Sequence, residues 1–138
     1  MTFFVAGIPV PKGSMRAFTP RGWNRPVLTS TGGAPLKSWE HSVRVCAMSA
    51  RPAGWLMAQA MAVELVFFIP RPKSVSPQKR PRPTAKPDID KIARAVLDAL
   101  TGTLYNDDAQ VVALYVEKWY AAESGTPGVE VQVNLANA

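Results

Sequence analysis

At 138 residues, with 47% apolar and 19% charged residues, the chain has the length of one domain and a globular composition, which excludes a disordered polymer. A formal net charge of +6 favours an anionic partner, and a single cysteine excludes an internal disulfide or a cysteine-built zinc site. No apolar run approaches the ~20 residues of a membrane-spanning helix and no secretory-type segment precedes Pro9 and Pro11, so a soluble cytoplasmic protein is expected, with no membrane partner.

Thr2 to Ile8 is rich in strand formers and stops at prolines, which predicts a first strand. Residues 9–35 hold Pro9, Pro11, Pro20, Pro26 and Pro35 among several glycines and read as one long loop, of a length that is usually functional or mobile. Lys12 and Arg16 lie in it as candidate phosphate contacts. Trp23, between Arg21 and Arg25, could stack on an unpaired base, although a partly buried loop anchor is the commoner use. From Leu36 to Ala50, the residues Leu36, Trp39, Val43, Cys46 and Ala50 recur at helical spacing, and Arg51-Pro52-Ala53-Gly54 ends the amphipathic helix they define. Cys46 reads as core packing; His41, the only histidine, is five residues away on another helical face, which argues against a catalytic pair. Met61 to Ile69 is an apolar run interrupted by Glu64 and predicts a central strand.

Residues 70–87 contain Pro70, Pro72, Pro77, Pro81, Pro83 and Pro87 together with Arg71, Lys73, Lys79, Arg80, Arg82 and Lys86, with no acid between them. Proline blocks a regular helix and like charges repel, so the segment is expected to be extended and mobile until phosphate neutralises it. The charge of the whole chain is divided at its end. Residues 1–87 carry thirteen Lys or Arg against Glu40 and Glu64, whereas residues 88–138 carry three against eight acids. A basic part to attract a polyanion, joined to an acidic part that could hold a cation, suits an enzyme acting on nucleic acid.

Asp88 to Leu100 is the clearest helix, with Pro87 and Asp88 as its start signal, Gly102 as its stop, and Ile89, Ile92, Ala93, Val96, Leu97 and Leu100 as its apolar stripe. Asp90, Arg94 and Asp98 are spaced by four and share the other face, so Asp98 reads as a surface partner of Arg94. After a turn, Val111 to Ala121 predicts a strand opened by Asp108. Ser124-Gly125-Thr126-Pro127-Gly128 predicts a hairpin link, and Val129, Val131, Val133 and Leu135 mark a final alternating strand. The expected architecture is α+β: one domain over residues 1–138, with about four strands in a mixed sheet and two main helices.

Asp88 and Asp90 fall at one helix end, where they could cap the helix and complement its dipole or, because they repel each other, share a divalent cation. Asp107 and Asp108 could likewise form an Asn-Asp turn with Asn106 or supply further oxygen ligands. Arg94 stands one turn beyond Asp90, in reach of a phosphate; Lys91 could meet DNA or solvent, and Lys118, between Glu117 and Trp119, is a weaker candidate.

The run from Pro87-Asp88-Ile89-Asp90-Lys91-Ile92-Ala93-Arg94 to Gly102, then Leu104-Tyr105-Asn106-Asp107-Asp108-Ala109-Gln110-Val111-Val112, then Glu117-Lys118-Trp119-Tyr120-Ala121, resembles the RusA-type Holliday-junction resolvases of phages and prophages. The opening Ile8-Pro9-Val10-Pro11-Lys12-Gly13, with Arg16-Ala17-Phe18-Thr19, is similar to that family as well. The resemblance implies a homodimeric endonuclease that cuts four-way DNA junctions symmetrically with Mg²⁺ or Mn²⁺. It places the metal carboxylates on Asp88, Asp90 and Asp108, with Asp107 beside them as a fourth. The catalytic basic position falls on Arg94, where relatives commonly carry Lys; Arg supplies charge but does not readily exchange a proton. Lys91 stands where many relatives carry Asn.

On this reading the carboxylates and their metal activate water for in-line attack on the phosphate. Lys12, Arg16, Arg80, Arg82, Lys86, Lys91 and Lys118 are the expected DNA contacts, and a two-fold dimer supplies the paired sites. The rivals are a nuclease of broader taste for branched or flapped DNA and a catalytically silent junction-binding protein.

Overall fold

The computed structural model describes the backbone of residues 1–13, 15–30 and 33–136, and the side chains of these except 15–18 and 27–30. Its main element is a four-stranded mixed sheet in the spatial order β1 (Thr2–Ala6), β6 (Gly128–Leu135), β4 (Met61–Ile69), β5 (Val111–Tyr120). β2 (Met15–Phe18) and β3 (Val27–Ser30) pair antiparallel as a separate ribbon, and the helices are α1 (Gly33–Ala50) and α2 (Ile89–Leu100). The α+β expectation of two helices and a mixed sheet holds.

β4 is central because it buries alternate residues, Met61, Val63, Leu65, Phe67 and Ile69, while still offering hydrogen bonds along both edges. Those residues join Val5, Val129, Val131 and Val133 of the neighbouring strands, Trp39 and Val43 of α1, and Ile92, Val96 and Leu100 of α2 in one core. Glu64 falls on the opposite, exposed face, as its place in the alternation requires. Gly128 is needed where β6 meets β1: its φ is +157°, and a Cβ there would collide with the Val5 carbonyl and the Phe4 ring.

Three expectations are corrected. The segment after β5 does not close a hairpin. β5 pairs parallel with β4, while β6 pairs antiparallel with the other edge of β4, so the chain crosses over the central strand. The α2 crossover makes this possible, since a parallel neighbour requires a long return. The predicted loop of residues 9–35 contains the β2–β3 ribbon, whose strands of four residues are too short to register as periodicity among so many prolines.

The basic segment is folded into turns, with Val75 N donating to Pro72 O at 3.1 Å and Arg80 N to Ser76 O at 3.0 Å. Arg71 organises it: one guanidinium nitrogen donates to Arg80 O at 2.6 Å and Ser76 O at 3.3 Å, and the group lies 4.1 Å from the Tyr120 ring centroid. Arg82 covers the Trp119 ring at 4.3 Å in the same manner. The guanidinium groups keep their charge, and these contacts with carbonyls and aromatic faces offset the repulsion that would extend the chain.

Candidate active site

α2 begins as its sequence predicts, with Asp88 extended (φ −68°, ψ 137°) at the N-cap position. The Asp88 side chain, however, makes no capping hydrogen bond and has Lys91 as its ion-pair partner, at 3.6 Å. Asp90 is exposed in the first turn. Arg94, also exposed, forms no ion pair among the described residues, and the expected Arg94–Asp98 pair is absent. Asp98 is held instead by Lys12 at 2.9 Å, and Lys12 also approaches Glu40 at 3.8 Å. That pairing raises the Lys12 pKa, chiefly through its hydrogen bond to Asp98. The sequence spacing could not show it, because Lys12 arrives from a distant loop whose backbone is tied to α2 through Lys12 N donating to Lys91 O at 2.9 Å.

The second acidic pair is built differently. Asp108 opens a single 3₁₀ turn, Asp108–Gln110, rather than the strand, and Asp107 caps it in an extended conformation. The Asp107 carboxylate accepts from Ala109 N at 2.8 Å, the cap use that competes with a ligand role. Gln110 locks the turn from the other side. Its side-chain oxygen accepts from Asn106 N at 2.8 Å and Asp107 N at 2.9 Å. Its amide nitrogen donates to Met57 O and Gln59 O, each at 2.7 Å. Gln110 is the residue that sequence reasoning missed. The signal was present in the capping-box pattern, in which a glutamine stands three residues after an acidic cap.

Asp90, Arg94 and Asp108 open onto one cleft of about 460 Å³ between α2 and β5, walled by Ile89, Ala93, Leu97, Leu114 and Val116. The Asp108 carboxyl is raised above its ordinary value, first by partial desolvation, then by hydrogen bonding and charge from Asp107 and by the charge of Asp98. Arg94 acts in the opposite sense. Tyr105 is fully buried, and its hydroxyl donates to the carbonyl of Leu97, a residue of the cleft wall, at 2.7 Å. Burial, followed by the charges of Asp108 and Asp98, pushes its pKa far up.

The cleft thus offers carboxylate oxygens with no thiol or imidazole, and a carboxylate crowded by negative charge, which fits a hard divalent cation. Among the described residues no three acidic, histidine or cysteine side chains gather into a ready coordination shell. Mg²⁺ tolerates that, since it commonly keeps several waters and takes one or two carboxylates together with substrate phosphate.

The other candidates are dispersed. Arg80 donates to the Tyr120 hydroxyl at 3.3 Å, Arg82 lies on Trp119, Lys91 faces Asp88, and Lys86 is exposed. Lys118 donates to Ala85 O at 3.0 Å and Pro87 O at 2.8 Å. Trp23 is 61% exposed rather than a buried anchor. The side chain of Arg16 lies outside the described residues. No helix is long and apolar enough to cross a membrane among the residues described.

Comparison with known proteins identifies the family. The chain is 33% identical over 145 residues to the uncharacterized protein YqaN of Bacillus subtilis (strain 168), an alignment covering 99% of this chain and 96% of that protein. The family model described as endodeoxyribonuclease RusA matches residues 17–134, which takes in α2, both acidic turns and the strand across the cleft. The chain therefore belongs to the RusA family of endodeoxyribonucleases, the Holliday-junction resolvase family that its aspartate motifs resemble.

Proposed function

We propose that the protein is a Mg²⁺-dependent endodeoxyribonuclease, with Mn²⁺ able to substitute, that resolves four-way DNA junctions by paired symmetric cuts in recombination and repair. The observation that carries this reading is the shared cleft of Asp90, Arg94 and Asp108. Asp88 supports it, because its carboxylate is not consumed by capping the helix that it begins. Asp88, Asp90 and Asp108 would hold the metal, with Asp107 alongside. When bound, the ion supplies Lewis acidity toward the scissile phosphate and a water of lowered pKa.

Arg94, exposed and unpaired among the described residues, directs its guanidinium charge to the phosphate oxygens and stabilises the charge that develops there. It does not serve as the proton donor, since arginine stays charged throughout the working range. Ile89, Leu97, Leu114 and Val116 make the cleft wall apolar, so these electrostatic contacts would strengthen once bound DNA covers the open cleft and displaces its water. Hydrolysis leaves a 5′-phosphate and a 3′-hydroxyl, and two such sites related by a C₂ axis in a homodimer match two symmetric cuts.

The test is cleavage of a synthetic four-way junction and a linear duplex of the same sequence, with Mg²⁺ and without it. The unaltered protein is expected to cut the junction only with the metal. Asp90→Asn is expected to lower the rate by on the order of 100-fold or more while junction binding persists. Equal rates on junction and duplex would remove the resolvase reading, and absence of any metal-dependent cut would leave a junction-binding protein.

A further inference from the structure

Lys118 occupies an unusual place for a cation. In the parallel register it stands opposite Phe67, on the face of the sheet that the helices cover. It is half-buried there and forms no ion pair among the described residues. Its ammonium donates to Ala85 O at 3.0 Å and Pro87 O at 2.8 Å, the first lying three residues before Asp88 and the second next to it. The position lies near the N-terminal end of α2, where the macrodipole disfavours a positive charge, so the lysine is not there to stabilise the helix. A flexible four-carbon stem carrying several donors suits a different task, which is to fasten two carbonyls of an irregular segment to a rigid strand.

The neighbouring residues extend the pattern. Trp119 and Tyr120 follow on β5 and receive Arg82 and Arg71 of the same basic segment on their rings. Three consecutive strand residues therefore grip the chain that leads into α2, and Lys118 holds the part nearest the aspartates. β5 also carries Leu114 and Val116 of the cleft wall and follows directly from the turn that bears Asp108. One strand thus connects the two acidic ends of the site.

We propose that Lys118 is a positioning residue of the nuclease site: by fixing the Ala85 and Pro87 carbonyls, it sets where Asp88 and Asp90 stand relative to Asp108 and Arg94. This rests on the nuclease reading above and replaces the expectation that Lys118 contacts DNA phosphate. Its two hydrogen bonds occupy two of the ammonium's three donors, and they reach the backbone three residues and one residue before the first aspartate.

The experiment compares the unaltered protein with Lys118→Met and Lys118→Arg by Mn²⁺ affinity from electron paramagnetic resonance, by kcat and KM on a four-way junction, and by the salt dependence of metal-free junction binding. Lys118→Met is expected to bind Mn²⁺ about ten-fold more weakly and to lose kcat, with KM and the salt slope unchanged. Lys118→Arg, whose fork can also serve two carbonyls, is expected to recover most of both losses. A salt slope that drops by about one ion while Mn²⁺ affinity holds would assign Lys118 to a phosphate and overturn the proposal. Values equal to the unaltered protein throughout would overturn it too. Should Lys118→Met fail to fold, Lys118→Gln, which keeps one donor, carries the same comparison. If the unaltered protein cuts nothing, the nuclease reading fails by itself. Amide exchange from Asp88 to Ile92 then decides the positioning role: faster exchange in Lys118→Met sustains it, and unchanged exchange ends it.

Discussion

The two acidic segments of the molecule each carry a pair of aspartates and are built in opposite ways. Asp107 spends its carboxylate on its own turn, accepting from Ala109 N, while Gln110 closes that turn with two hydrogen bonds and ties it to Met57 and Gln59 with two more. Asp88 stands where a cap belongs yet makes no cap bond, and Asp90 is exposed. One turn is braced by its own side chains; the other is held from outside, by Lys118 on the backbone that precedes it. The difference separates an aspartate spent on the architecture of its turn from aspartates that the proposed mechanism would use. By that criterion the cap bond of Asp107 competes with a ligand role, whereas Asp88 and Asp90 carry no such backbone bond.

Asp88→Asn is the sharpest way to test the contrast. It should lower metal-dependent cleavage by on the order of 100-fold with the thermal midpoint unchanged, because no structural bond of the Asp88 side chain is lost beyond an exposed ion pair. A large fall in the midpoint would instead make Asp88 architectural. Gln110→Ala should show the reverse balance. Removing an amide that serves four backbone partners is expected to cost about 1–3 kcal/mol in chemical denaturation. Asp107→Ala should cost about 1 kcal/mol through the lost cap, and Asp107→Asn distinctly less, since an asparagine oxygen can still accept from Ala109 N.

The smallest effect is electrostatic. The Asp108 carboxyl is raised above its ordinary 3.8 by partial desolvation and then by Asp107 and Asp98. A carboxyl raised on folding favours the folded state below 3.8, and that contribution is lost as pH rises through the folded value. Asp107→Asn should therefore move the Asp108 titration, followed by carboxyl carbon resonances, back toward 3.8. No movement would mean that the two carboxylates do not interact.

Legibility in the sequence followed the range of the interaction. β4 and the body of α2 fall at the predicted positions because apolar period, proline and glycine act within a few residues. Gly102, with φ +81°, ends α2 as its place after the apolar stripe indicated. The β2–β3 ribbon stayed hidden because short strands among prolines leave no measurable period. The basic segment was read as extended because a list of like charges does not show that Arg71 and Arg82 find the distant rings of Tyr120 and Trp119.

Taken by itself, the chain determined its class, its charge division, the clear helix α2, the candidate aspartates and the family resemblance, since each depends on residue type and local spacing. Only the tertiary structure decided that β6 lies across β4 from β5, that Lys12 rather than Arg94 holds Asp98, that Gln110 braces one acidic turn, and that Lys118 fastens the approach to the other. Each of those depends on which donor meets which acceptor across many intervening residues. The fold settles such pairings by burying the sheet and helices together, and no local pattern encodes them.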